Sequence, residues 1–194
     1  SLFSAESLLC HMDHPASVFI MVLPSPLMDL FILRHGKAGT SDHSDPGDSE
    51  RHLTRQGREE IAEIGAWMRA QQLKFPIIAS SPLPRAAETA AIIARVLGEP
   101  KEVTSWDALA TGYPPAAVLG KIAEIMHENR VLLVGHEPQL SSLISLLISK
   151  GHDCGIILKK SGIARIRFPG EPGQGELLWL LPPRLIRGPG GPKE

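Results

Sequence analysis

Three short segments carry the side chains best suited to chemistry. Arg34-His35-Gly36 closes the apolar run Asp29 to Leu33, and Gly135-His136-Glu137-Pro138 closes Val131 to Val134. Ser80-Ser81-Pro82 closes a third run that begins at Ile77, with Arg85 about one helical turn further on. Two guanidiniums directed at one point repel each other unless an anion lies between them, and their forks match phosphate oxygens bidentately. Arg85 is expected in the first turn of a helix, where unpaired N–H groups and the helix dipole favour an anion. Of two histidines beside such an anion, one can attack phosphorus in line and the other can donate to the transferring oxygens. Gly36 is expected to let the backbone come close to the ligand. Each segment alone is ordinary; the joint placement at three strand ends is what points to a phosphate site.

That placement depends on the elements between the segments. Asp29–Leu33, Ile77–Ser80 and Val131–Val134 are short apolar runs, read as buried strands. Thr40 to Glu50 is rich in Ser, Asp, Gly and Pro and is read as a loop. Thr54 is a candidate N-cap for a helix with Ile61, Ile64, Gly65 and Met68 on one face. A second helix after Pro82 and Pro84 carries Ala86, Ala90, Ile93 and Leu97 and ends at Gly98 in a left-handed cap. Pro114 and Pro115 open a third with Val118, Ile122, Ile125 and Met126. Leu140, Leu143, Ile144 and Leu147 mark a fourth, stopped near Gly151. Ile163–Phe168 and Leu177–Leu181 have no helix between them and are expected to pair as an antiparallel hairpin. The alternation predicts an α/β fold, a three-layer α/β/α sandwich whose central sheet is mostly parallel with an antiparallel edge strand. In such a sheet the ligand crevice lies at the carboxyl ends of the strands, where the three segments fall.

Composition excludes several classes. The 194 residues give a prior for one domain. Twenty Lys plus Arg against 21 Asp plus Glu argue against a nucleic-acid surface. Two cysteines, Cys10 and Cys154, exclude a disulfide scaffold and a four-thiolate zinc site, and suit a reducing cytoplasm. The longest apolar stretch near the start, Val18 to Leu23, is cut by Pro24 and Pro26 and is too short for a membrane span. Residues 1–27 are read as a leader outside the fold, 28–186 as the domain, and 187–194 as a Gly/Pro-rich tail. Nine of the 17 prolines lie before residue 27 or after residue 168, which supports those limits because proline cannot donate to regular ladders.

At these residues the sequence resembles the histidine phosphatase superfamily, the phosphoglycerate mutase-like fold. The segments LFILRHGKA, SSPLPRAAETA and VLLVGHEP look like its three signature blocks, and RHLTRQG at 51–57 resembles the block that opens its first helix. KKSGIARIRF resembles the closing strand of the SixA-type phosphohistidine phosphatases, and the likeness spans about Met28 to Pro182. The resemblance implies that His35 is the phosphorylated nucleophile and that Arg34, Arg85 and His136 form the phosphate pocket, with no metal and no cofactor. Ser161 aligns with a small hydroxyl residue of the SixA branch.

The resemblance also sets a test. Mutases and broad-specificity phosphatases of this superfamily carry a carboxylic acid, usually Glu, that protonates the leaving oxygen. The corresponding stretch here, TSWDALATGYPP, offers Asp107 and no Glu. An alkoxide is a poor leaving group, with a conjugate-acid pKa near ~16 if water is the guide. A histidine leaving group sits at roughly 6.5, a difference worth about 12 kcal/mol in basicity, so phosphohistidine requires positioning and charge neutralisation more than acid catalysis. The expected activity is therefore metal-independent hydrolysis of phosphohistidine on a protein, with phosphate-like anions as ligands and no membrane or nucleic-acid partner. One alternative is a small-molecule phosphomonoesterase with Asp107 as general acid; another is a phosphate- or phosphopeptide-binding module without turnover. His43 and His52 are read as solvated loop histidines, Lys37 as a solvated cation or a source of positive potential, and Glu88 and Thr89 as capping or packing residues. His11, Asp13 and His14 have only a loose ligand spacing, Cys154 is read as inert, and Trp67, Trp106 and Trp179 are too scattered for a stacking platform.

Overall fold

The computed structural model describes residues 27–39, 50–98 and 103–187. The leader up to residue 26, most of the polar loop, His11, Asp13, His14, His43, Cys10 and the tail beyond Arg187 lie outside the described residues. Six strands form one sheet: β1 (Met28–Arg34), β2 (Ile77–Ser80), β3 (Thr104–Ser105), β4 (Arg130–Gly135), β5 (Ile163–Phe168) and β6 (Glu176–Leu181). Among the described residues five α-helices accompany them: α1 (Arg55–Ala70), α2 (Pro84–Leu97), α3 (Pro115–Glu124), α4 (Gln139–Ser149) and α5 (Pro183–Arg187). The strand order is β3-β2-β4-β1-β5-β6. The strands β1 to β4 pair in parallel. β5 runs antiparallel to both β1 and β6. The antiparallel member thus stands one place in from the edge, and the edge strand β6 runs in the same sense as β1.

Helices cover both faces. Side chains alternate along a strand, so Phe31 and Leu33 of β1 pack on one side with Ile61, Ile64 and Met68 of α1 and Ala90 and Ile93 of α2. Met28, Leu30 and Ile32 pack on the other with Val118 and Ile122 of α3 and Leu143, Ile144 and Leu147 of α4. This two-sided burial explains why β1 and β4 read as unbroken apolar runs. Each fully buried Leu or Ile side chain contributes about 1.5–3 kcal/mol relative to exposure. Trp67 and Trp179, distant in sequence, meet edge to face at 6.0 Å.

The connections place the crevice. After β1 and β2 the chain passes to α1 and α2 on one face; after β4 it passes to α4 on the other. β4 lies between β2 and β1. The loops leaving neighbouring strands therefore part to opposite faces at the carboxyl ends of β1, β2 and β4, which is the switch point where such sheets bind ligands.

Helix ends follow from local chemistry. Thr54 caps α1, its hydroxyl accepting the Gly57 N–H at 3.0 Å and donating to the Lys37 carbonyl at 3.2 Å. A Cβ on Gly57 would stand 2.2 Å from the Lys37 carbonyl oxygen, so only glycine lets α1 start against the segment after β1. That contact is the physical content of the RHLTRQG block. Gly98 ends α2 in the left-handed region at φ 71°, as the sequence predicts. α3 stops at Glu124, short of Ile125 and Met126, which pack on the core from the following turn. β3 and α5, of two and five residues, are too short to leave a periodic pattern. α5 carries Arg187, placed in the tail by the sequence pattern; its side chain binds Glu60 and Glu63 of α1.

Candidate active site

Each of the three segments ends at the same edge of the sheet. The rings of His35 and His136 lie 5.0 Å apart, and both residues are buried. β1 and β4 are paired up to Arg34 opposite Gly135, so the two histidines follow their strands in register. His35 N–H donates to the Gly135 carbonyl at 3.1 Å, and the His35 carbonyl accepts the Ser161 N–H at 3.2 Å. The backbone of His35 is thus held on both sides of the strand.

The His35 ring is set for attack. Its Nδ1 lies 2.7 Å from the Gly36 carbonyl oxygen, which only accepts, so Nδ1 carries the proton and Nε2 the lone pair. Burial pushes its pKa down to about 4; the Gly36 carbonyl opposes this, and the charges of Arg85, Arg34 and Lys160 add to the lowering. The ring is neutral at pH 7, the state a nucleophile on phosphorus requires.

Arg85 is the largest fully buried side chain among the described residues, 2% exposed, at the second position of α2. A guanidinium at a helix start is well placed to bind an anion. Arg34 is partly buried and donates from Nη1 to the Leu158 carbonyl at 3.0 Å. Its Nε–H is buried with no acceptor among the described residues, a donor that a phosphate oxygen would satisfy. Burial lowers the Arg34 pKa and the nearby Glu137 charge opposes that; the group stays cationic.

Several residues outside the sequence expectation hold this arrangement. Ser81 is fully buried and its Oγ lies 2.9 Å from His136 Nε2 while accepting the Leu83 N–H at 3.2 Å. In the tautomer with its proton on Nδ1, the His136 ring accepts the Ser81 O–H at Nε2. Thr89, read as a packing residue, links two site segments: its hydroxyl donates to the Arg85 carbonyl at 2.7 Å and accepts the Gly36 N–H at 3.2 Å. Gln139 donates to the Ala108 and Tyr113 carbonyls, both at 2.8 Å, and fixes the segment beside His136. The sequence signal for Ser81 was a hydroxyl doublet after a buried strand, which does not say which serine faces the site. Thr89 and Gln139 gave no separate signal.

Gly36 was expected to let the backbone come close to a ligand; a Cβ there would meet Ile61 Cγ1 at 2.9 Å and the Gly57 carbonyl oxygen at 3.2 Å. Its smallness serves the packing of the loop on α1, and its amide is used by Thr89. Ser161 is fully buried at φ 59°; its hydroxyl donates to Glu60 at 3.0 Å and its N–H braces the His35 backbone. His52 pairs with Glu88, which also accepts from Leu53 N–H and Arg58. Burial works to raise the Glu88 pKa, but these partners outweigh it and the net shift is downward. Lys37 is exposed and donates to Gln56 at 2.9 Å.

Asp107 opens a 3₁₀ turn, Asp107–Leu109, directly after β3. Its side chain is exposed, with no hydrogen bond or ion pair among the described residues. A cleft of about 400 Å³ runs beside His136, lined by Tyr113, Pro114, Pro115, Glu137, Pro138 and Gln139 among others, and Asp107 is not part of its wall.

A mixed sheet with both histidines at the carboxyl ends of its parallel strands defines an α/β fold of the phosphoglycerate mutase-like type. The family model of the histidine phosphatase superfamily (branch 1) matches residues 30–110. An uncharacterized protein of Picosynechococcus sp. is 32% identical over 174 residues, 82% of this chain and 99% of its own length. The phosphohistidine phosphatase SixA of Escherichia coli K12 is 26% identical over 158 residues, covering 80% of this chain and 94% of that protein. The solved structure of the protein histidine phosphatase SixA complexed with tungstate has a TM-score of 0.72 at 24% identity, covering 80% of this chain and 97% of that one. The chain belongs to the histidine phosphatase superfamily, in its SixA-like branch, and is a phosphatase of that superfamily.

Proposed function

We propose that the protein hydrolyses phosphohistidine on a protein substrate through a phosphorylated His35. The observation that carries this reading is the pairing of a neutral, buried His35 with an exposed, unengaged Asp107. His35 Nε2 attacks phosphorus and the N–P bond to the substrate breaks. The substrate ring leaves as neutral imidazole, its other nitrogen already protonated, so no acid is required of the enzyme. Arg34, Arg85 and His136 hold the oxygens during transfer and again while water displaces phosphate from His35. Phosphate, sulfate, vanadate and tungstate are expected to bind among the same groups. The E. coli SixA likeness supports the substrate class, and the tungstate complex of a SixA supports the anion site. On this reading the activity resides in residues 28–186 and needs neither metal nor cofactor, in a cytoplasmic setting. No helix among the described residues is long and apolar enough to cross a membrane.

The test is rapid quenching of the enzyme in alkaline detergent during turnover of a labelled phosphohistidine peptide. An acid-labile phosphoryl group mapped to His35 is expected. Turnover with no label on His35, or full activity in His35→Ala, overturns the assignment.

A further inference from the structure

The sheet edge that carries the site continues past β1. Leu181, at the end of β6, pairs with Ile163 at the start of β5, so both lie at the same edge as His35. Beside them Ile157, Lys159, Leu180, Pro182, Pro183 and Arg184 line an open groove of about 480 Å³. Ile157 is 71% exposed and Leu185, next to Arg184 on α5, is 64% exposed, the two most exposed large hydrophobic residues of the described chain. The groove joins the site through residues 158–161. The Leu158 carbonyl accepts from Arg34 and the Ser161 N–H donates to the His35 carbonyl. Lys160, within the same stretch, is close enough for its charge to act on His35.

Charge separates this flank from the opposite one. The groove wall holds Lys159 and Arg184 and no carboxylate. The cleft beside His136 holds Glu137 and no Lys or Arg. A macromolecule whose phosphorylated side chain enters the pocket must lie along one or both flanks. The pocket itself grips only the phosphoryl group, so choice among phosphoproteins has to come from outside it.

We infer that the Ile157–Lys159–Arg184–Leu185 surface docks the phosphoprotein substrate through a patch of carboxylates interleaved with apolar side chains. The inference rests on the phosphohistidine reading above and adds the chemistry of the partner's surface. Carboxylates of the partner meet Lys159 and Arg184, and apolar side chains cover Ile157 and Leu185. A contact of this size belongs to the small, transient class, as turnover requires. Its charges act mainly on association and are screened within about 8 Å at physiological salt.

The test uses a small protein phosphorylated on one histidine with phosphoramidate, in an acidic form and in a form with Glu→Gln changes around that histidine. An aryl phosphate serves as the small substrate. The variants are Lys159→Glu with Arg184→Glu, and Ile157→Asp beside Ile157→Leu. For the charge-reversed variant, kcat/KM on the acidic phosphoprotein should fall about tenfold or more through KM, with the aryl phosphate rate within about twofold of wild type. Ile157→Asp should behave likewise and Ile157→Leu should not. Raising salt from about 50 to about 200 mM should slow the wild type only on the acidic phosphoprotein. Equal phosphoprotein rates in wild type and variants would overturn the docking surface and leave the functional reading standing. A wild type that hydrolyses the aryl phosphate but no phosphohistidine protein would overturn the substrate reading, and the docking surface with it. Equal loss on both substrates, or a dimer that dissociates with Ile157→Asp, would assign the surface to folding or self-association instead.

Discussion

The turn that carries Asp107 and the strand ends that carry the two histidines lie at the same edge of one sheet, yet they are built differently. At β1, β4 and the start of α2 the groups are buried or partly buried and held: His35 by Gly135 and Ser161, Arg34 by Leu158, His136 by Ser81, and the Arg85 carbonyl by Thr89. At β3 two residues of strand give way to a short turn whose carboxylate is exposed and unpartnered among the described residues. The difference teaches where this enzyme invests its order. On the proposed reading the phosphoryl group meets a preorganised, water-poor cage, and the leaving group meets an open rim. Preorganisation of donors where charge develops is the large catalytic effect, and on the proposed reading a rim without a positioned acid would restrict turnover to substrates whose leaving group needs none.

Breaking the buried side should cost most. His35→Ala removes the nucleophile, and turnover should fall by roughly 10⁴-fold or more, measured by steady-state kinetics on an activated aryl phosphate. Arg85→Ala leaves developing charge uncompensated, and kcat should fall about 10²–10³-fold with vanadate affinity falling alongside. Arg85 unfilled by an anion in a phosphate-soaked crystal would break the comparison at its root.

Acid should weaken the same region. The folded His35 has a pKa of about 4 against about 6.5 for a free imidazole, so the unfolded chain binds more protons between those values. Stability should therefore be unaffected above about pH 6.5 and fall as pH drops toward 4, by about 3 kcal/mol at full effect. His35→Asn should lose that part of the pH dependence in denaturant titrations. The kcat/KM on aryl phosphate should persist below neutrality and fall as pH passes through about 4, because protonation removes the lone pair.

Ser81→Ala should have a smaller effect, roughly tenfold in kcat, the worth of one hydrogen bond of about 1–1.5 kcal/mol. ¹⁵N NMR of the neutral wild-type His136 should show the proton on Nδ1, and Ser81→Ala should mix the tautomers while Ser81→Thr restores them. A wild-type proton on Nε2 would contradict the assigned role of Ser81.

Much of the site was legible because its residues sit at the ends of long apolar runs, and such runs are hard to read as anything but buried strands. Arg34, His35, Arg85 and His136 came from that pattern, and the structure brings them to one edge. What was illegible depends on tertiary distance. Nothing in the sequence tells that Gly36 is small for the sake of Ile61, that Ser161 faces Glu60, or that Arg187 reaches back to α1. β3 and α5 are too short for a period, and the exposure of Asp107 is set by a turn of three residues. The antiparallel strand was expected at the edge because a hairpin was read without the register that puts β5 against β1.

The central claim is that the leaving group, not its fit, decides turnover. The direct measurement is kcat/KM on matched phosphohistidine and phosphoserine peptides, with wild type beside Asp107→Ala. The account predicts rapid phosphohistidine hydrolysis, phosphoserine slower by several orders of magnitude, and no more than about a twofold change in Asp107→Ala on either. Comparable wild-type rates on both peptides, with the phosphoserine activity of Asp107→Ala down by about 10²–10⁴-fold, would contradict it and make Asp107 the general acid of a phosphomonoesterase.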